Sequence, residues 1–428
     1  MSEGTTYSTP RLLSWAAIFG AIGLGLYFLV PFSVPLLGFS PHVLAVIAGF
    51  ALLLLHQPRN IKIQEYWSLV LFVATALVAL LSAPDMPEAR MLHTWVISLM
   101  AFWLFHNIFF HLPQDRLDVG IQIILLFWAL ASIFQVTIGV SAYVSAWFGA
   151  PLVTIYSTGL TIYSNNAAIM LLPLLMGTLA FNAHQPVWWR GLVWLLGCVA
   201  LYFTMSRAGG LALLIGLLVL AWKLRSDPRK MRRLGVHTIA AFLVVLLAWA
   251  APTRVDPYEP GGNLSAGRWS ILESDEAYST EGNNSTAGDY STATRLITLS
   301  VAARSIMDHP LTGVGLGHFP DYYEKFSSQY VTGAAIDPRT RINPHNGYAQ
   351  FIAEVGIPAF LVLIFWLSWL LWQMRKATDP LALAIYASIA GVAAWLFFHD
   401  GLYFRMLWIL LGCASALGFK NSLVRSNR

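Results

Sequence analysis

Long apolar runs separated by short polar segments dominate the pattern along this chain. A helix needs about 20 predominantly apolar residues to cross a bilayer, and twelve runs approach or reach that length. They lie at residues 12–31, 40–56, 66–83, 91–111, 118–138, 163–183, 187–205, 208–224, 235–252, 347–373, 380–398 and 403–420. The sequence therefore predicts an all-α integral membrane protein with about 12 transmembrane helices.

Two stretches need separate interpretation. Only Ser206 and Arg207 interrupt the apolar pattern between residues 187 and 224. A single helix of that length would overshoot a hydrocarbon core of about 30 Å, so we predict a tight helical hairpin here. The uncharged stretch 139–162 fits either a loop lying on the membrane or a short re-entrant segment.

Composition supports the membrane assignment. Hydrophobic residues make up 57% of the 428 residues and charged residues 11%, whereas soluble domains carry about 25% charged residues. A soluble globular enzyme is therefore excluded. The two cysteines, Cys198 and Cys413, lie inside apolar runs and are expected to be small core residues without a disulfide. No small-residue cleavage site follows the first run, which we expect to be a permanent span.

The distribution of Lys and Arg predicts the orientation, because cytoplasmic loops are enriched in them. Twelve spans place both termini on one side, and the short loops of the opposite side hold only Arg90, Arg207 and Arg405. Sixteen basic residues lie on the side of the termini: Arg11, Arg59, Lys62, Arg116, Arg190, Lys223, Arg225, Arg229, Lys230, Arg232, Arg233, Arg375, Lys376, Lys420, Arg425 and Arg428. The termini are thus expected to be cytoplasmic. Residues 1–252 would hold spans one to nine, 253–346 a large external loop, and 347–428 spans ten to twelve and a cytoplasmic tail.

The external loop changes character along its length. Residues 253–292 are rich in Gly, Ser, Thr and Asn and predict irregular backbone. Residues 293–308 have helical composition, and Arg295 and Arg304, nine residues apart, should point to opposite sides of that helix. A Pro/Gly-rich turn follows in HPLTGVGLGHF, and RINPHNGYAQ leads into the tenth span. A loop of this length is uncommon unless it is functional or disordered, and its helix favours function.

The segment NPHNGYAQ has the features of a helix start. Asn343 suits the N-cap and Pro344 the first helical position, which would place His345 in the first turn. Free N–H groups and the helix dipole would make this an anion site and would favour a neutral His345, able to accept a proton. The alternative is an interfacial histidine that caps a helix and does nothing else.

Other polar residues stand out against the apolar background. Arg207 in SRAGG could bind phosphate or could simply extend to lipid headgroups. Glu354 lies in the tenth predicted span, where a carboxylate is either functional or a helix-packing hydrogen-bond partner. His399 and Asp400, at the outer end of the eleventh span, could face the same cavity as His345.

Several familiar motifs are absent. The sequence has no P-loop, no H-E-x-x-H and no Cys/His metal spacing. The predicted external loops also lack the D-x-D that would hold a divalent ion to a diphosphate. No metal and no other cofactor is therefore expected, and any diphosphate would have to be stabilised by arginines.

Four motifs, in order along the chain, resemble the O-antigen ligase/polymerase superfamily. They are YSNNAAIMLLPLL at 163–175, SRAGG at 206–210, an arginine followed by P-L-x-G-V-G-x-G-x-F across Arg295 to Phe319, and PHNGYAQ at 344–350 followed by EVGIPAF. The resemblance implies transfer of a polyprenyl-diphosphate-linked glycan on the periplasmic face of the bacterial inner membrane, without metal. One departure is Leu299, where many members have Trp, and it affects the expected donor or acceptor preference.

The resemblance also implies roles for individual residues. The catalytic histidine of the family maps onto His345, and the essential arginines map onto Arg207 and Arg295. Asn166 matches the Asn-rich span, and Asn346 is expected to orient His345 or a phosphate oxygen. Further candidates for substrate binding are Arg341, Glu354 and Tyr348.

Within the superfamily, the long loop and the single compact HN motif favour an O-antigen ligase. The expected donor is an undecaprenyl-diphosphate-linked O-antigen and the acceptor lipid A–core, with membrane lipids as surroundings and no nucleic acid as partner. A polymerase and a protein O-oligosaccharyltransferase are alternatives in the same superfamily. A transporter of a lipid-linked anion is the alternative from another class, although it predicts charged residues along a membrane-spanning pathway.

Overall fold

The computed structural model describes residues 47–52, 67–84, 89–111, 114–138, 164–204, 206–250, 287–330, 343–399 and 405–426. Within these ranges the chain forms helices and turns and no strand. The first predicted span, most of the second, the stretch 139–162 and most of the polar loop segment 253–292 lie outside the described residues.

Thirteen α-helices are named here in chain order. Residues 47–52 are also helical. The first seven are α1 (Trp67–Ser82), α2 (Ala89–His111), α3 (Gln114–Ile138), α4 (Ser164–His184), α5 (Trp188–Phe203), α6 (Arg207–Leu224) and α7 (Pro228–Ala250). The rest are α8 (Ala287–Asp308), α9 (Phe319–Phe326), α10 (Gly347–Val355), α11 (Ile357–Met374), α12 (Pro380–Trp395) and α13 (Arg405–Ser426), with a short 3₁₀ turn at Ser327–Gln329.

The apolar runs coincide with these helices. Four described helices are long and apolar enough to cross a membrane, namely Met91–Phe110, Asn165–His184, Arg207–Leu224 and Ile357–Met374. Shorter apolar helices lie at Val73–Ser82, Leu117–Ile133, Trp188–Phe203, Pro380–Trp395 and Met406–Gly418. An all-α membrane protein is confirmed, whereas the count of twelve spans, their orientation and the three-part division of the chain stay predictions.

The predicted hairpin at Ser206 is present. Helix α5 ends at Phe203 and α6 begins at Arg207, where the Ser206 hydroxyl accepts a hydrogen bond from Gly209 N at 3.1 Å. A side-chain oxygen at this position satisfies one of the free N–H groups at a helix start. Gly191 and Gly197 of α5 lie against Asn182 and Leu175 of α4, whereas Gly209 and Gly216 of α6 lie against Ala168 and Met176. The two helices therefore run in opposite directions along α4, and the chain reverses at Ser206.

Close contacts at small residues show the directions of the central helices. A Cβ built on Gly391 of α12 would lie 2.5 Å from Ala212 O of α6, and one on Gly216 would lie 3.4 Å from Ala387 O. These pairs run in opposite order, so α6 and α12 are antiparallel. A Cβ built on Gly209 of α6 would likewise lie against the side chain of Ala168 of α4. The start of α6, the start of α4 and the end of α12 therefore lie at one end of the bundle, which we call the outer end.

The opposite end is basic. Arg190 pairs with Asp118, Lys223 donates to Arg375 O, and Arg233 donates to the final carbonyls of α4. Arg190, Lys223 and Arg233 all belong to the set that the Lys/Arg distribution assigns to the side of the termini.

The predicted tenth span is divided, contrary to the expectation of one helix over 347–373. Helix α10 ends at Val355 and α11 begins at Ile357, with Gly356 between them at φ +87°. Ile357 N donates to Pro310 O at 2.9 Å, and a Cβ on Gly356 would lie 2.3 Å from Leu311 O. The Pro/Gly-rich turn therefore docks where the helix is broken, and only glycine fits there.

The loop helices form a small core of their own, distinct from that of the bundle. Helix α8 covers Ala287–Asp308 and so begins before the predicted 293–308. Its buried residues Ile297, Val301 and Ala302 pack together with Phe319 and Tyr323 of α9 and with Ala353 of α10. Helix α10 thus belongs both to the bundle and to the loop, and it joins the two.

Candidate active site

His345 lies just before α10 and not in its first turn. The helix begins at Gly347 and its N-cap is Asn346, so the prediction of an N-cap at Asn343 is wrong. The cause is a set of contacts with the end of α12. Asn346 Oδ1 accepts from Ala349 N at 2.9 Å, Asn346 Nδ2 donates to Phe397 O at 3.2 Å, and Gly347 N donates to Leu396 O at 2.8 Å.

The backbone of His345 is strained. Its φ of +50° is the only positive value among the described non-glycine residues. Such a conformation costs on the order of 1–3 kcal/mol and persists where the surroundings enforce it, often at functional sites. The bonds of Asn346 and Gly347 to α12 supply that enforcement. His345 is therefore held by its backbone in one place at the outer end of the bundle.

His399 is close to His345. Its ring stacks on Trp395 with centroids 4.8 Å apart, in the same chain segment that binds Asn346 and Gly347. Burial, and then the neighbouring His345 and Arg295, lower the pKa of His399 to about 4. His399 is thus neutral near pH 7, and its electrostatic neighbours His345 and Arg295 come from two other segments of the chain. Sequence reasoning had named His399 as a possible neighbour but not as a site residue.

The Thr298 hydroxyl connects the backbone at Arg295 with the residue before His345. Thr298 Oγ1 lies 3.0 Å from Arg295 O and 3.3 Å from Pro344 O, so it links α8 to the residue before His345. The Arg295 guanidinium is exposed, and Leu299, one turn later, is 37% exposed. Arg304 points elsewhere, with its guanidinium 4.1 Å from the Phe326 ring centroid. The expected opposite placement of the two arginines fits this arrangement.

Arg207 lies at the same end of the bundle. It is the first residue of α6, and the antiparallel pairing of α6 with α12 places it level with about residue 396. Its side chain is exposed, with no hydrogen-bond or salt-bridge partner among the described residues. The N-terminus of an 18-residue helix adds free N–H groups beside it. Arg207 therefore combines two features that favour an anion.

An apolar groove begins at Arg207. It encloses about 420 Å³ between α5, α6 and α7. From Arg207 to Leu217 it extends over ten residues of helix, or about 15 Å. Its walls are Trp194, Cys198, Leu201, Tyr202, Ser206, Arg207, Gly210, Leu213, Leu217, Thr238, Ala241, Phe242 and Val245. An amphiphile with an anionic head and an apolar chain matches this combination. Both cysteines are free and buried, as expected.

The other predicted site residues have different surroundings. Asn166, in the first turn of α4, is half-buried at the outer end of the bundle and has no hydrogen-bond partner among the described residues. The Tyr348 hydroxyl donates to Ala393 O at 2.8 Å, which fastens α10 to α12. Arg341 lies outside the described residues.

Glu354 is fully buried and holds the Pro/Gly-rich turn. Its Oε2 accepts from Gly317 N at 3.1 Å and its Oε1 from Gln350 Nε2 at 3.2 Å. This is the helix-packing alternative raised by the sequence. The carboxylate thus stabilises the turn against α10, one helix length from His345. Among the described residues, no group of three or more His, Cys, Asp and Glu side chains could hold a metal ion, and metal independence stays a prediction.

Comparison with protein families gives a match over residues 191–364 to the family described as O-antigen ligase. The matched segment contains Arg207, Arg295 and His345, the three residues singled out by motif. The match covers 174 of the 428 residues, and this segment is similar to the O-antigen ligase family. Comparison with curated proteins gives no match. Members of this family are glycosyltransferase-like ligases and polymerases. Two of the residues discussed above, Asn166 and His399, lie outside the segment that matches the family.

Proposed function

We propose that this protein is an O-antigen ligase. It transfers a glycan from undecaprenyl diphosphate to a sugar hydroxyl of lipid A–core on the periplasmic face of the bacterial inner membrane. The observation that carries the proposal is that hydrogen bonds join the segments of Arg295, His345 and His399 at the end of the bundle where Arg207 begins α6. A basic group for the acceptor and cations for the diphosphate are the chemistry that such a transfer requires.

The proposed roles follow from the chemistry of each side chain. Arg207 and Arg295 bind the diphosphate, because guanidinium groups pair with phosphate oxygens through two parallel hydrogen bonds. Both side chains are exposed and have no salt-bridge partner among the described residues, so a ligand can reach them. The apolar groove that starts at Arg207 suits the first isoprene units of the donor. Asn346 holds the backbone of His345 in position.

In the proposed reaction, an acceptor hydroxyl attacks the anomeric carbon while His345 takes its proton. The bond between the anomeric carbon and the diphosphate oxygen breaks, and the electron pair leaves with that oxygen. Arg207 and Arg295 stabilise the charge that develops on the leaving diphosphate. A single displacement of this kind inverts the anomeric configuration and uses no metal.

A reconstituted assay tests the proposal. Purified protein in detergent is mixed with undecaprenyl-diphosphate glycan, lipid A–core and EDTA, and the mobility of the core is followed on a gel. Wild type should shift the core, and His345→Ala should abolish the shift. His309→Ala is a matched control, because His309 is half-buried in the same loop but follows α8 at its far end. Arg295→Lys should lower the rate, with Arg304→Lys as its control on the same helix.

The same assay separates the alternatives. Lengthening of the lipid-linked glycan without a core shift would identify a polymerase, and glycan on an added acceptor protein would identify a protein O-oligosaccharyltransferase. A transporter of a lipid-linked anion would give no product, and His345→Ala would slow its transport only modestly. A core shift that requires a divalent ion would refute the metal-independent mechanism.

A further inference from the structure

One face of α7 is exposed and changes from basic to apolar along the helix. Arg229, Arg232, Val236, Ile239 and Leu243 follow each other at intervals of three or four residues, so they share one face. All five are exposed, and the apolar three are 57%, 62% and 53% accessible. This face lies at the basic end of the bundle, opposite to the candidate active site.

A cavity is associated with the basic part of this face. It encloses about 430 Å³ and is lined by Arg229, Arg232, Arg233, Val236 and His237. The Arg229 and Arg232 side chains have no partner among the described residues. Asp227, the nearest carboxylate in the described sequence, accepts from the backbone N–H groups of Arg229 and Lys230 and lies 3.5 Å from Lys230 Nζ. The two guanidinium groups thus keep their charge for a ligand.

The inner wall of the cavity is fixed. Arg233 Nη1 donates to Ala183 O and His184 O at 3.1 and 3.2 Å. The His237 ring lies 2.6 Å from Asn182 Nδ2 and 2.7 Å from Arg233 O. Since these side chains are held by α4 and by their own helix, the wall exists before any ligand binds, and binding does not have to order it.

An exposed tryptophan lies close to the cavity, as is typical of a membrane surface. Gly191 of α5 approaches His237, and Trp188, three residues earlier, is 81% exposed. Exposed tryptophans are enriched where headgroups meet hydrocarbon. A ligand with its phosphate at Arg229 and Arg232 would therefore continue into the hydrocarbon along Val236, Ile239 and Leu243.

We propose that this face of α7 binds an anionic phospholipid, with the phosphate on Arg229 and Arg232 and one acyl chain along the apolar residues. Charge selects an anionic over a zwitterionic headgroup, because the cavity presents three arginines and a choline group would be repelled. The apolar half of the face selects a lipid over a free phosphate, which has nothing to place there. The inference does not depend on the transfer reaction.

Native mass spectrometry of the full-length protein in detergent tests the proposal. Bound lipid is counted during titration with dioleoylphosphatidylglycerol, dioleoylphosphatidylcholine or glycerol 3-phosphate. We expect tight binding of the first lipid only, weakened roughly 30-fold in the double variant Arg229→Gln/Arg232→Gln, since each surface cation contributes about 1 kcal/mol toward an anionic lipid. The matched control Arg225→Gln/Lys376→Gln removes the same charge at the same end, from exposed residues that do not line the cavity, and should bind as wild type does.

Each outcome decides the proposal. Equal losses in the two double variants would mean that only net charge matters and would overturn the site, as would equal binding of both phospholipids by wild type. Competition by glycerol 3-phosphate at the affinity of the lipid would overturn the lipid assignment. A salt titration of wild type covers the case in which a variant fails to fold: binding unchanged between low and high ionic strength would contradict pairing with exposed guanidinium groups.

Discussion

Replacing Gly313 by alanine is expected to separate the Pro/Gly-rich turn from α10. Gly313 has φ +67°, and a Cβ there would lie 2.3 Å from the carbonyl carbon of Glu354 and 2.5 Å from both its oxygen and Val355 N. These neighbours are backbone atoms and cannot rotate away. Val314 N donates to Ala353 O at 2.9 Å and Gly315 N to Glu354 O at 3.2 Å, so the whole turn would have to shift.

The expected loss of folding stability in Gly313→Ala has two contributions. The left-handed conformation costs an alanine roughly 1–2 kcal/mol, and overpacking costs about 1–3 kcal/mol. Together they destabilise by about 2–5 kcal/mol. An ordinary contact needs at least 3.4 Å in place of 2.3 Å, so the turn must move by about 1 Å. Because α10 carries His345 at its start, a misplacement of that size could reduce transfer on the order of 100-fold.

Thermal unfolding in detergent, followed by tryptophan fluorescence, measures the first effect, and the transfer assay measures the second. Gly120→Ala is the control, since Gly120 lies inside α3 with no atom within 4 Å of a built Cβ. Alanine there should be neutral or stabilise by about 0.5–1 kcal/mol. An unfolding temperature and transfer rate equal to wild type in Gly313→Ala would refute the reasoning.

Three further predictions concern side chains around this turn and the helix start. The pKa of His399 is about 4, below its ordinary value of 6.5. Between these two pH values the unfolded chain takes up a proton that the folded chain does not. The free energy of unfolding should therefore fall as pH drops from 6.5 to 4, by about 3 kcal/mol at most. Unfolding temperatures at pH 7 and pH 5 should therefore differ more in wild type than in His399→Gln; the same difference in both would count against the lowered pKa. Glu354→Ala leaves the buried Gly317 N without its acceptor, whereas Gln350 Nε2 keeps a 3.5 Å contact with Asn343 Oδ1. The change should cost about 1–3 kcal/mol, more than Glu354→Gln, which heat denaturation would show. Asn346→Ala should cost about 1 kcal/mol through loss of the cap and should reduce transfer. Asn346→Asp keeps the acceptor for Ala349 N but loses the donor to Phe397 O, so it should restore only the capping part of the stability; an Ala variant as stable as wild type would exclude the capping role.

The apolar pattern located most described helices within a few residues because each run is set by local composition. The break at Ser206 was also predictable, since a polar pair is the only interruption in that run. The break at Gly356 also has a sequence feature that predicts it, but the long apolar run around it favoured a single helix. Pro358 follows closely, and proline in a first turn is typical of a new helix.

The start of α10 could not be predicted in the same way. Both Asn343 and Asn346 suit an N-cap by composition, and the choice is made by Gly347 N and Asn346 Nδ2, which bind carbonyls about 50 residues later in the chain. The positive φ of His345 follows from that choice. Local propensity contains no information about such contacts, and this is why His345 was expected inside the helix.

The candidate site therefore depends on backbone contacts more than on side-chain ones. Thr298 binds Pro344 O, the turn binds the carbonyls of Ala353 and Glu354, and Gly347 binds Leu396 O. Each contact joins a different segment to the few residues around α10, so Arg295, His345 and His399 are brought together by segments that share no sequence proximity. Substitutions of exposed side chains at the rim should consequently change which glycan binds, whereas substitutions that alter the fit of the turn should affect every substrate alike.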